Sequence, residues 1–494
     1  MTLTITRSPM TTLAKAFTTL ATTRMRTLAV TSAALAAVTM LTGCSPERLV
    51  NSTDTPSNVV LPSAIETPAG AANLYNAAVN IFAAGFGGSG NASVYDTYVS
   101  NSGLFTDELT VGRNYFDWVD NRNNGLNVAL GNESAQSSVY LRLQAARVAA
   151  SQARQALQLY APAGNGALIG RMYAYEAYSI VLLGEYFCNG IPLTKTPLKG
   201  DPVYGPALST TELFDKAIAL FDTAATLSAD SAQFANLAKV GKGRALLNEA
   251  KFAEAAAAVA GVPPTFVFNL EYKDNANVSL GGLGLSLNNQ LGTWAAGGFG
   301  SPYVAMQDHE GTNGLAWSAD GFRVPELTGS QFGSLPYPGK YVNGNAPIRL
   351  ADGLEAQLIR AEAELNAGSP AWLDTLNSLR TTCTSASGCA PTPGITATTL
   401  GTLTDPGTSA ARRDTLFHER ARWLYLTGHR QGDLRREARA PYTVPTPLLY
   451  PTGTITNPNY RIPSANYGND VVALPSNTEQ KYNPNYKGCT DRNP

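Results

Sequence analysis

Residues 412–439 read Arg-Arg-Asp-Thr-Leu-Phe-His-Glu-Arg-Ala-Arg-Trp-Leu-Tyr-Leu-Thr-Gly-His-Arg-Gln-Gly-Asp-Leu-Arg-Arg-Glu-Ala-Arg, the densest charged run in a 494-residue chain of which only 15% is charged. Leu416, Phe417, Leu424, Leu426 and Leu434 recur close to helical spacing with arginines and carboxylates between them. That pattern predicts one or two helices that bury an apolar stripe while ion pairs line its flanks. Gly428 marks a bend between them.

Three clusters in this run, Glu419-Arg420, Gly428-His429-Arg430 and Asp433-Leu434-Arg435-Arg436, resemble the late signature of the SusD/RagB family. In that family the segment reads roughly Glu-Arg-x-x-Glu-Leu-x-x-Glu-Gly-His-Arg-x-x-Asp-Leu-x-Arg. Trp423 and Thr427 stand where the pattern has glutamates, which changes the local ion pairs but not the spacing. The resemblance implies a cell-surface lipoprotein that captures glycan or peptide nutrients for a TonB-dependent outer-membrane barrel.

A chain this long can bury a large core. Its 45 Gly, 30 Pro and 22 Tyr point to extensive ordered loops with aromatic content, as in exported binding proteins. The first 43 residues carry four basic residues and no acid, so from Cys44 onward 32 basic residues face 37 acidic ones. A net negative chain lacks the basic face of a nucleic-acid binder, and small neutral ligands fit it better.

Near the start, Met25-Arg26 followed by an apolar run from Leu28 to Met40 has the layout of an export signal too short to span a membrane. Leu41-Thr42-Gly43-Cys44 resembles a bacterial lipobox, with Cys44 as the lipidated N-terminus. Residues 1–43 are thus expected to be a signal peptide whose true start is Met25. Residues 44–70, rich in Ser, Thr, Asn and Pro, are expected to be a tether that carries the body from residue 71 onward.

Helical periodicity appears from Val139 to Tyr160 and from Ala167 to Phe187, predicting an antiparallel pair. The second ends in Tyr186 to Leu193, where Gly190 and Pro192 break the helix, similar to a Tyr-Gly-x-x-Pro-Leu turn in the family. Thr211–Leu227 is a further amphipathic helix. Phe234–Val259 and Leu354–Arg380 have the small-residue and aromatic spacing of tetratricopeptide hairpins, although no strict 34-residue period is visible. The expected fold is therefore mainly α, a tetratricopeptide-like scaffold with hairpins at about 139–260 and 350–439. Such hairpins stack because each buries its apolar face on its neighbour.

Between the hairpins lie loop-rich stretches at 91–132, 263–348, 381–409 and 441–494. Structureless loops of that length are uncommon inside a compact domain, so short strands and turns forming a second lobe are expected, with ligand contacts drawn from them.

Catalytic and metal chemistry find little support. The three histidines, His309, His418 and His429, are not at metal-ligand spacing, and no nucleophile elbow, P-loop or dinucleotide fingerprint is present. No cofactor is expected. Four cysteines beyond Cys44 allow three connectivities; the reading favours Cys383–Cys389, closing a short loop, and Cys188–Cys489, tying the tail to the turn after an early helix.

The best ligand-contact candidates are aromatics in polar loops. Tyr115–Asn123, where the family resemblance places a variable ligand-facing loop, supplies Phe116 and Trp118 as a stacking platform and Asn121 and Arg122 as hydrogen-bond donors. Trp294 and Tyr303 of the middle insertion are candidates to reach the same ligand. Packing within their own lobe is the competing role for each aromatic. The rival readings of the whole chain are a lipid-anchored polysaccharide hydrolase and a repeat-based assembly lipoprotein.

Overall fold

Helix follows helix through most of the described chain, and from the first helix to the ninth each packs on the one before it. In the computed structural model the residues described are 65–88, 97–111, 119, 121–123, 134–275, 278–280, 304–306, 315, 317–320, 322–327, 337–341, 346–383, 397–455 and 466–494. The stretches read as signal peptide and lipobox, and most of the one read as tether, lie outside them. All of the described residues belong to one unit, Ile65–Pro494.

The helices are α1 (Pro68–Gly87), α2 (Tyr98–Phe105), α3 (Ser134–Tyr160), α4 (Gly166–Tyr186), α5 (Thr210–Leu227), α6 (Ala232–Asn248), α7 (Phe252–Val259), α8 (Gly353–Asn366), α9 (Ala371–Thr382), α10 (Ser409–Trp423), α11 (Arg430–Ala438) and α12 (Asn477–Tyr482). From α3 to α9 each packs against its successor, and α1 packs on α3. This is a serial stack of hairpins, so the fold is mainly α, as the periodicity predicts.

Alanines make the stack close. Ala146, Ala150, Ala153 and Ala156 of α3 and Ala174 and Ala177 of α4 are all fully buried, and small side chains let helix axes approach. Ser209 caps α5 in a capping box with Glu212, satisfying two backbone donors reciprocally.

The stack is interrupted without being broken. Helices α7 and α8 are neighbours in space although about 90 residues separate them in sequence. Strand β4 (Val267–Leu270) pairs antiparallel with β10 (Ile348–Asp352), which closes the base of that insertion, and a bulge lies between Arg349 and Ala351. Short antiparallel pairs make up the other described strands: β2 (Ile191–Pro192) with β3 (Ala207–Leu208), β5 (Lys273–Asn275) with β6 (Val278–Leu280), and β8 (Glu326–Leu327) with β9 (Tyr337–Pro338). The last pair, β1 (Leu109–Val111) with β7 (Val304–Met306), joins two segments about 195 residues apart.

Three elements depart from the sequence reading. Thr67 caps α1 through its side chain, so the helix starts at Pro68, inside the stretch assigned to the tether. Helix α2 sits within the segment read as loop-rich; all eight of its residues are buried, so no amphipathic stripe advertises it. Helix α12 lies in the tail, where no helical pattern was visible, and its six residues are too few to show a period.

The signature run turns inward. Instead of all lining the flanks of the apolar stripe, the charges of Glu419, Arg420, Arg430, Asp433, Arg435, Arg436 and Glu437 are buried. Arg420 donates from Nε and Nη2 to Asp433 at 3.0 and 2.9 Å, and Arg436 donates to Asp433 at 2.8 Å and to both oxygens of Glu362 at 2.6 and 2.8 Å. Burial works against the Asp433 charge, but Arg420 and Arg436 outweigh it and hold the carboxyl well below the usual range. Arg244 of α6 donates to Glu185 of α4 at 2.8 and 2.6 Å and to the Gly428 carbonyl at 2.6 Å. Arg420 and Asp433 thus clamp α10 to α11, Arg436 ties the signature to α8 through Glu362, and Arg244 ties it to α6 through the Gly428 carbonyl.

The two departures from the family pattern find local partners. Trp423 Nε1 donates to Glu419 at 3.1 Å, and Thr427 Oγ1 lies 2.8 Å from His429 Nδ1. Burial, then Arg244, pushes the His429 imidazole well below its ordinary pKa, so the ring is neutral and its Nε2 accepts from Arg244 Nη1 at 3.0 Å. Gly428 supplies the bend with φ +73°, and a Cβ there would stand 2.8 Å from the Tyr98 ring.

Buried acids give the core a pH signature. Burial pushes the carboxyls of Glu108, Glu355 and Glu437 up to about 8. The native state therefore holds protons that unfolded glutamates have released near neutrality. Their stabilising contribution is full below the unfolded pKa and is lost as pH rises through about 8. The lowered histidines act in the opposite sense only below about 6.5, and Lys340, pushed down to about 7 by burial, opposes only above that. The melting temperature is expected to fall between pH 6.5 and 8, and to fall less in Glu355→Gln. Calorimetric scans that rise or stay level over that window would contradict this assignment.

Candidate ligand-binding site

The signature reaches the candidate ligand loop through Thr106-Asp107-Glu108. Arg430 grips Asp107 with two hydrogen bonds of 2.8 and 3.0 Å, and Glu108 Oε1 accepts from the Leu426 N–H at 2.8 Å. Trp317 Nε1 donates to the Asp107 carbonyl, and its ring packs on Tyr425 with centroids 5.0 Å apart. These contacts fix the chain just before β1.

Strand β1 then sets where the loop begins. Its register pairs Leu109 with Met306, Thr110 with Ala305 and Val111 with Val304. Because the pair is antiparallel, the segment leaving Val111 and the segment entering Val304 lie at the same end of this two-stranded sheet. The first leads into the Tyr115–Asn123 stretch; the second follows directly from Tyr303.

The middle insertion is fastened to the same core. Lys340 Nζ donates to the Tyr425 carbonyl and Tyr341 Oη to the Leu426 carbonyl at 2.9 Å. Arg323 donates to Glu419 at 2.8 Å, and Arg380 reaches the other oxygen of Glu419 at 2.6 Å. The signature is thus a hub that holds the chain before the candidate loop and the later part of the middle insertion.

Of the expected contact residues, Phe116, Trp118, Trp294 and Tyr303 lie outside the described residues, as does His309. Asn121 and Arg122 are described, and they are placed differently from the expectation. They are 3% and 2% exposed, so neither presents a donor to solvent. Gly468 N donates to the Asn121 carbonyl at 2.6 Å, and Asn121 Oδ1 accepts from Asn123 N at 2.9 Å. Arg122 Nη1 donates to the Asp470 carbonyl at 3.2 Å and Nη2 to that of Pro451, while its guanidinium lies over Tyr450 at 4.9 Å and Tyr467 at 5.7 Å. The polar rim read from these two side chains is instead the anchor of the loop's far end on the C-terminal tail.

Arg122 adopts φ 51°, a left-handed conformation that non-glycine residues rarely take. Its contacts to the tail hold it there. No sequence signal separates such a residue from an exposed arginine, because its partners are more than 300 positions away.

The tail itself is pinned. Cys188 and Cys489 form a disulfide with Cα atoms 5.8 Å apart. Beside it Thr490 N donates to the Asn189 carbonyl at 3.0 Å, and Ala473 N donates to the Tyr186 carbonyl at 2.8 Å. Cys383 is also disulfide-bonded; its expected partner, Cys389, lies outside the described residues. Among the described residues no cluster of three His, Cys, Asp or Glu side chains could hold a metal ion, and no helix is long and apolar enough to cross a membrane.

The sequence matches no protein-family model and no curated protein. Solved structures do match. A SusD-like carbohydrate-binding protein from Bacteroides vulgatus superposes with a TM-score of 0.59 at 13% identity, over 85% of this chain and 97% of that one. Surface glycan-binding protein A from Bacteroides thetaiotaomicron, in complex with laminarihexaose, gives 0.58 at 13% identity over 86% and 99%. Its namesake from Bacteroides uniformis gives 0.53 at 14% identity over 85% and 99%. With nearly the full length of each of these structures matched, the helical stack, its insertions and the buried signature together make this chain one with the SusD-like fold.

Proposed function

We propose that this protein is a non-catalytic, cell-surface binding protein that captures a glycan and passes it to a TonB-dependent outer-membrane barrel. The observation that carries the binding part is the β1/β7 register, which brings the start of the segment leading to the Tyr115–Asn123 loop and the segment that follows Tyr303 in the middle insertion to one end of one sheet. Two aromatic-bearing segments rooted side by side suit a sugar, whose C–H face needs flat rings and whose hydroxyl rim needs planar polar groups. Phe116, Trp118, Trp294 and Tyr303 are the aromatics assigned to that surface. The laminarihexaose bound to a structural neighbour at 13% identity supports the same ligand class.

Lipidation of Cys44 would hold the body at the outer membrane, facing outward, with the barrel as partner. A peptide ligand is the alternative within this reading. The test is a binding screen of the soluble form, residues 65–494, against oligosaccharides and peptides, run together with an assay for released reducing ends. Saturable oligosaccharide binding without release supports the proposal; turnover of a polysaccharide would make the protein a hydrolase, and binding of peptides alone would replace the ligand class.

A further inference from the structure

Three of the buried signature arginines share one mode of pairing. Arg420, Arg430 and Arg436 each turn the guanidinium edge that carries Nε and Nη2 onto a carboxylate, that of Asp433, Asp107 and Glu362 respectively. The edge presents two parallel donors and so takes up two oxygens at once.

Arg435 of α11 is the exception. It is fully buried, yet among the described residues its Nε and Nη2 have no hydrogen-bond partner. Only Nη1 is engaged, donating to the Gly184 and Phe187 carbonyls at 2.6 and 3.1 Å at the C-terminal end of α4. The partial negative charge of a helix C-terminus accounts for a cation at this point. It leaves the two-donor edge empty. Arg439, four residues on and so on the same face, repeats the arrangement. Its Nε donates to the Arg435 carbonyl at 3.2 Å, near the end of its own helix, and its Nη2 is buried without a partner among the described residues.

The acids around this pair are committed elsewhere. Arg435 feels the charges of Glu185 and Asp491. Glu185, however, accepts from Arg244, Asn248 and Tyr98, and Asp491 accepts from Asn189 and Asn493. Burial, then the like charges of Arg435 and Arg436, pushes Arg439 down to about 9. Two buried guanidiniums thus present three idle donors and no counter-charge, an arrangement that is costly and calls for an explanation. Water would satisfy the donors without balancing the charge. Arg435 is sealed, whereas Arg439 is half-buried and the adjoining Ala440 is exposed. A ligand that enters past Arg439 to reach Arg435 has to be compact.

We infer that a compact inorganic anion, of chloride or nitrate size, sits on the Nε and Nη2 edge of Arg435 with Arg439 Nη2 as its third donor, joining the end of α4 to the end of α11. The inference does not depend on the loop site or on the glycan reading.

The test is scanning calorimetry of the soluble protein in which chloride replaces gluconate, a larger organic anion, at constant ionic strength. An anion that binds only the native state raises the melting temperature with the logarithm of its concentration once the site begins to fill. Wild type is expected to show that rise. Arg439→Gln is expected to need at least tenfold more chloride, so its deficit against wild type grows as chloride is added. Loss of a helix cap alone would give the same deficit at every concentration. Crystals grown in bromide are expected to show an anomalous peak within hydrogen-bonding distance of Arg435 Nη2. Arg435→Gln should abolish both signals; should it fail to fold, Arg439→Gln and the bromide peak decide. The inference is overturned if wild type and Arg439→Gln respond to chloride in parallel, if gluconate stabilises wild type as well as chloride does, or if the Arg435 edge holds only water in the bromide crystals.

Discussion

Asp433→Ala is expected to cost about 3–5 kcal/mol of unfolding free energy, the range for removing one partner from a buried ion pair. Asp433 accepts from two arginines at 2.8 to 3.0 Å, and all three side chains are 2–3% exposed as residues. Its loss leaves Arg420, among the described residues, with Glu362 at 3.5 Å as its remaining ion-pair partner. The penalty is desolvation left without compensation, not the net strength of the bond. Asp405→Ala is the control: Asp405 binds Arg412 at 2.6 and 2.7 Å with similar geometry, but at the surface, where water screens the pair. Denaturant titration of both variants checks this, and a loss for Asp433→Ala no larger than the control's would contradict the hub.

The second large effect is expected at the tail. Cys188 and Cys489 are 301 positions apart, so their disulfide closes a long loop in the unfolded chain. The chain-entropy model assigns about 6 kcal/mol to a closure of that size, and removal of native disulfides typically costs about 2–5 kcal/mol. Cys489→Ser is the cleaner variant, since Cys188 is 1% exposed and a serine there would bury a hydroxyl. Its unfolding free energy should fall by about 2–5 kcal/mol, and limited proteolysis should begin near the C-terminus. Unchanged stability would mean that the hydrogen bonds around Asn189 and Ala473 hold the tail unaided.

The Cys188–Cys489 expectation and the helical stack show what sequence reading does well. Repeating apolar spacing in 139–187 and 211–259 maps onto α3 to α7 because those helices are amphipathic. Helix α2 escaped because it is buried on every side, and α12 because it is too short. The signature was legible as helical, but its charges read as a flank. Burial of Arg420, Arg430 and Arg436 depends on carboxylates at 107, 362 and 433, and the first two of these lie far away in sequence, as do the Gly184 and Phe187 carbonyls that hold Arg435.

The candidate site was legible as a composition and not as a geometry. Aromatics in Asn- and Gly-rich loops pointed to Phe116, Trp118, Trp294 and Tyr303, whereas the pairing that roots both loops on one sheet needed the β1/β7 register. Asn121 and Arg122 looked like ligand donors because Asn and Arg are the residue types that bind sugars. The same donors serve equally well to dock a backbone, and here they hold the tail.

The central claim is that the Tyr115–Asn123 loop captures a glycan, and isothermal titration of Trp118→Ala with the oligosaccharide that wild type binds tests it most directly. The account predicts a loss of about 1–3 kcal/mol in binding free energy, the range for an aromatic anchor, with the melting temperature unchanged. Unaltered affinity, or a loss that appears only because the protein unfolds, would contradict it and return Trp118 to the core.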